Sequence, residues 1–144
     1  MELEKKVGIL KSLDTKSLVE QVHRHEDDLE TALREQASFK SLNYEYLACR
    51  DGDCQEVKRL LSELILKVPE HNEAGKKLTA AEKEAWLQRQ RKESQELAAA
   101  IARQKEVAFL VDNHEIKVEI AKKRLESTKA VLALKTAQIN LLAS

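Results

Sequence analysis

Apolar positions recur every three or four residues along most of this chain. Leu18, Val22, His25, Leu29, Ala32 or Leu33, Gln36 and Phe39 step by fours and threes toward Tyr46 and Leu47, which is the spacing of one helix face and not the alternation of a strand. Leu3, Val7 and Leu10 precede them at the same spacing, although Gly8 and the "SLDTKS" segment weaken continuity there. Ser17 with Glu20 three residues later has the form of a capping box and predicts a firmer start at Leu18. A second, denser face follows in Val57, Leu60, Leu61, Leu64, Ile65 and Val68, closed by Pro69. Thr79 and Glu82 then predict the cap of a third helix that neither Pro nor Gly interrupts. Its later half carries Val118, Ala121, Leu125, Thr128, Leu132, Lys135, Ile139 and Leu142. Leu97, Ile101, Ala108 and Val111 join that register only after a shift near His114. Between Gln88 and Glu96 no residue is apolar.

These stripes predict an all-α fold: an elongated antiparallel helical hairpin, or coiled coil, with a short middle helix. The chain is read as one helical domain, 1–144. Arm one covers 2–48 and 54–68 with a break at 49–53; the turn is 69–78 and the long helix 79–143. Folding back about that turn makes facing positions sum to about 147. Glu26, Asp27, Asp28 and Glu30 then meet Lys117, Lys122, Lys123 and Arg124, and "CRDGDC" meets Ser94. Each exposed ion pair contributes only about 0.3–0.5 kcal/mol, so such pairs select register more than they stabilise. In a rival layout the chain turns sharply at Gly52 and the middle helix folds back on the first. Two helices bury little by themselves in either layout, so the chain is expected to be a homo-oligomer, dimer or higher, or to bind a helical protein partner.

Composition narrows the function classes. With 35% charged residues, 3% aromatic, one Pro and three Gly, the chain suits long helices better than a compact core. Its 42% apolar content is too periodic for a disordered segment. Lys and Arg (25) balance Asp and Glu (25), so no net field draws the chain to nucleic acid or to an anionic membrane. Charges occupy the N-terminal stretch where a signal peptide needs an apolar run, and the apolar run Leu97 to Ala102 is too short to span a bilayer. The expectation is a cytoplasmic protein with reduced thiols.

Candidate chemistry is sparse. Cys49 and Cys54 flank "RDGD" at a separation wider than the usual zinc knuckle and with no second pair, leaving only His71 and His114 to complete a ligand set. Gly52 between two Asp residues is turn chemistry, and Asp53 is placed to cap the next helix. Asp51, Asp53 and Glu56 lack the ligand alternation of a calcium loop. Glu20 and His23 form a single E-x-x-H where di-iron bundles need two. His25, His114, Gln36 and Gln104 fall on or near apolar stripes, where polar residues set register. Neither a phosphate loop nor a nucleophile elbow is legible. The reading is therefore a non-enzymatic structural or interaction module (scaffold, adaptor or assembly subunit) without a cofactor or metal. Its predicted interface residues are Leu18, Val22, Leu29, Leu97, Ile101, Val118, Leu125, Leu132 and Ile139. The alternative is a nucleic-acid-associated accessory protein using "QRQRK" (88–92) and "KKR" (122–124). A metal-dependent bundle enzyme ranks below both.

Overall fold

In a computed structural model, residues 2–5, 15–49 and 52–143 are described. Val7 and Leu10 of the expected first stripe, and Asp51 of the break, lie outside them. Helix accounts for 83% of the described residues, which contain no strand, and a long helix packs against the others. Residues 2–5 are helical, and the further helices are α1 (Lys16–Leu42), α2 (Gln55–Leu66), α3 (Ala80–Glu93) and α4 (Gln95–Ala143), with a 3-10 turn at Tyr44–Tyr46.

Several boundaries move for local reasons. α1 opens at Lys16 and not at Leu18, because the Val19 amide already bonds to the Thr15 carbonyl at 2.9 Å; Ser17 lies inside the helix. Asp53 does not cap α2. Cys54 occupies the cap without a side-chain bond. The last turn of α2 tightens before Pro69, with Lys67 N bonded to Leu64 O at 3.1 Å and Val68 N to Ile65 O at 3.3 Å. The expected cap at Thr79 forms: its Oγ1 accepts from Glu82 N at 3.2 Å and donates to the Glu82 carboxylate at 3.1 Å.

The expected continuous helix 79–143 is interrupted at Ser94, inside the stretch without apolar residues. Ser94 is extended at ψ 111° while its amide still bonds to Gln90 O. Its hydroxyl caps the next helix by accepting from Leu97 N at 3.2 Å. Ser94 thus ends one helix and starts another without Pro or Gly, and Leu97 is redirected into a core.

Two compact units divide the chain: Met1–Ser38 with Asn113–Ser144, and Phe39–Asp112. In the first, Val22 of α1 and Val118, Ala121 and Leu125 of α4 are buried. In the second, Cys54, Val57 and Leu60 cluster with Leu97 and Ala100, and Tyr46, Leu61, Leu64 and Ile101 pack around them. Full burial of each large member stabilises by about 1.5–3 kcal/mol. The α2 face is narrower than its sequence suggests, since Ile65 and Leu66 remain exposed. Between α2 and α3 the turn is a tight closure in which Asn72 N bonds to Lys76 O at 2.8 Å and Lys76 N to Asn72 Oδ1 at 2.9 Å. Gly75 supplies the positive φ of 80°.

Candidate functional site: the cysteine loop and the faces of the long helix

The loop between α1 and α2 closes on itself. Asn43 donates from Nδ2 to Phe39 O at 2.9 Å and ends α1. Further on, Ala48 and Cys54 form an antiparallel bridge. Cys49 N bonds to Asp53 O at 3.2 Å and Gly52 N to Cys49 O at 3.0 Å. Gly52 turns the chain at φ 92°, a conformation that strains any residue carrying a Cβ.

Two neighbouring residues of α4 grip this loop. Arg103 donates from Nη2 to Asn43 Oδ1 at 2.9 Å, and its guanidinium lies 6.0 Å from the centre of the Tyr46 ring. Gln104 donates from Nε2 to Gly52 O at 2.7 Å, and its Oε1 accepts from Cys54 N at 2.9 Å. The Gln104 amide therefore meets the loop edge as a neighbouring strand would, satisfying one acceptor and one donor.

This geometry corrects the expected register. Asn43 and Arg103 sum to 146, but Gly52 and Cys54 sum with Gln104 to 156 and 158. "CRDGDC" is thus held beside Gln104 and not beside Ser94. The chain advances through the loop without advancing along α4, because the loop doubles back instead of keeping a helical rise.

The two cysteines occupy different environments. Cys54 is 0% exposed within the apolar cluster and Cys49 is half-buried; both are free thiols. Because the bridge pairs Ala48 with Cys54, Cys49 falls opposite Asp53, and alternation puts the two thiols on opposite faces of the ladder. Glu56, considered above as a calcium ligand, accepts from Arg59 at 3.1 and 2.6 Å, while Arg59 also reaches Glu63 at 2.5 Å. The hydrogen bond from Arg59 draws the Glu56 carboxyl below its usual range, against a smaller upward push from desolvation. The same partners raise the Arg59 guanidinium, Glu56 first.

The remaining polar candidates lie along helix faces. Glu20 and His23 are exposed, and His23 Nδ1 stands 3.8 Å from Glu26. His25 lines an open cleft of about 400 Å³ with Ile120, Lys123, Arg124, Ser127 and Thr128; its Nδ1 stands 3.8 Å from Asp28, beyond hydrogen-bond reach. Ion pairs of the expected complementary clusters run along their own helices, Arg34 with Glu30 at 2.5 Å and Lys122 with Glu119 at 3.6 Å. Among the described residues, no group of three or more His, Cys, Asp and Glu side chains is placed to hold a metal ion. Arg91 and Lys92 of "QRQRK" share a cleft with Lys105 over Ala98, Ile101 and Ala102. Among the described residues no helix is long and apolar enough to cross a membrane.

Of the predicted interface residues, Val22, Leu97, Val118 and Leu125 are buried within their own units, and Leu18, Leu29, Ile101, Leu132 and Ile139 are half-buried. A different set on α4 faces outward: Ile116 is 56% exposed, Ile120 45%, Val131 44% and Leu134 61%. At 100° per residue these four lie within an arc of roughly 60°. That arc is centred roughly 150° from the buried Val118, Ala121 and Leu125. The denser first stripe concealed this second one, whose signal is the 4-residue step from Ile116 to Ile120 and the 3-residue step from Val131 to Leu134. The chain matches no protein-family model, no curated protein and no solved structure.

Proposed function

We propose that this chain is a non-enzymatic coiled-coil interaction module. In this reading its arms fold back as an antiparallel hairpin, broken near Gly52, and α4 recruits another helix, from its own kind or from a partner, as a scaffold or assembly subunit would. The observation that carries the reading is the second apolar face of α4: Ile116, Ile120, Val131 and Leu134 are exposed while Val118, Ala121 and Leu125 behind them are buried. A helix with apolar residues on two faces satisfies one face internally and leaves the other to an external helix. The hairpin is supported by burial of Val22 together with Leu125, whose positions sum to 147, and by the Asn43–Arg103 bond.

The test is site-specific photocrosslinking in cells that express the full chain. A photoreactive residue at Ile120 or Leu134 is expected to give a discrete adduct whose crosslinked peptide maps to a helix. The same residue at Glu73, in the exposed turn, serves as the control. Adducts at Ile120 and Leu134 no stronger than at Glu73 would refute the reading.

A further inference from the structure

The geometry points to a second copy of this chain as the occupant of the exposed α4 face, aligned parallel and in register; this inference rests on the interaction-module reading above. The argument is the charge that flanks the stripe. Taking Ile120 and Leu134 as a positions and Ile116 as d, the g positions are Asp112, Glu119 and Glu126, and the e positions are Lys117, Arg124 and Val131. One border of the stripe is therefore acidic, and the other is basic over its first two heptads before it turns apolar at Val131.

Orientation follows from how those borders meet. In a parallel pair, each g position faces the e position five residues later on the other copy, so Asp112 meets Lys117 and Glu119 meets Arg124 with opposite signs, while Glu126 meets the apolar Val131. In an antiparallel pair g faces g and e faces e. Overlaying the same segment would then set acid against acid along one border and base against base along the other. Glu119 is available to such a pair: its side chain is 62% exposed and stands 3.6 Å from Lys122 of its own helix. Arg124 is exposed on the rim of the His25 cleft.

Within the seam, Asn113 occupies an a position, where one polar residue fixes register and favours two strands. Lys123 at d and Ser127 at a form a polar middle between the Ile116–Ile120 and Val131–Leu134 patches. That middle weakens the pair and makes it an exchanging dimer, not a permanent one.

Disulfide trapping with the purified full chain tests this directly, in a Cys49→Ser background with the buried Cys54 retained. Ile116→Cys and Leu134→Cys are made separately. The two sites are 18 residues, or about 27 Å, apart along the helix. Both substitutions lie on exposed positions, and circular dichroism verifies that each variant keeps the parental helicity. In the parallel, in-register pair each new thiol faces its own copy, so both variants should form covalent dimers under mild oxidation, and Ile120→Asp should abolish both. Self-trapping at only one site, or a mixed disulfide between the Ile116→Cys and Leu134→Cys variants in preference to either homodimer, would overturn the proposal in favour of an antiparallel pair. Trapping at neither site, with a monomer by sedimentation, would overturn it as well. In that case a persisting cellular adduct at Ile120 would leave the interaction-module reading standing with a different partner.

Discussion

Gln104 offers the sharpest perturbation, because one side chain holds both strands of the loop that separates α1 from α2. Gln104→Ala removes the bond to Gly52 O at 2.7 Å and the bond from Cys54 N at 2.9 Å. A net hydrogen bond contributes about 1 kcal/mol, and stranding a buried donor costs about 1–3 kcal/mol. Cys54 is 0% exposed, so its amide has no water to turn to, and local opening of the loop should become easier by about 2 kcal/mol. The natural reporter is the Cys54 thiol, which must leave the Val57–Leu60–Leu97 cluster before it can react. A 2 kcal/mol drop in opening free energy makes its labelling by a thiol reagent roughly 30-fold faster, provided that closing outruns labelling. Cys49→Ser isolates the signal. Gln104→Glu separates the two bonds: it keeps the acceptor for Cys54 N but turns an anionic oxygen toward Gly52 O, so it should also accelerate labelling. Should Gln104→Ala label Cys54 less than threefold faster than the parent, Gln104 would not be the clamp, and the loop would owe its order to the apolar cluster alone.

Three further outcomes follow from the same geometry. Replacing both Leu125 and Leu132 by Asp puts charge at a buried and a half-buried position of α4, and should destabilise the Met1–Ser38/Asn113–Ser144 unit by more than about 4 kcal/mol; unchanged helicity and unfolding midpoint would refute the internal role of that stripe. In the native chain Cys49 should label at least tenfold faster than Cys54, and mild oxidation should leave both as thiols, whereas an intramolecular disulfide formed without unfolding would contradict the opposite-face placement. The Glu56 carboxyl is held below its ordinary value of 4.5 by the Arg59 hydrogen bond, so folding favours its ionised form. That contribution is fully present above the unfolded value and is lost as pH falls through the folded one. The stability difference between the parent and Glu56→Gln should therefore shrink below about pH 4, and a difference independent of pH from 6 to 3 would refute the Arg59 pairing.

Much of the helical architecture was determined by local chemistry and is legible residue by residue. The threefold and fourfold spacing of Val118 to Leu142 marks one face of α4, Thr79 and Glu82 mark the cap of α3, Pro69 and Gly75 mark the turn, and Gly52 marks the break. Each signal acts within about one turn of chain, so no partner is needed to read it. What only the tertiary structure decided depends on contacts distant in sequence. Ser94 breaks the last helix although no residue there forbids helix, because a serine cap lets Leu97 reach Val57 and Leu60. Gln104 captures the cysteine loop about ten residues from the expected register, since nothing local to residues 43–54 states how far a loop doubles back along its neighbour. Periodicity likewise marked one apolar stripe on α4, Val118 to Leu142, and left the second, Ile116 to Leu134, unmarked. The inner one is buried, as is Val22 of the same unit, while the outer one, Ile116 to Leu134, stays exposed even though Ile120 lines the cleft beside His25 of α1; which face is covered depends on contacts distant in sequence, which periodicity does not carry.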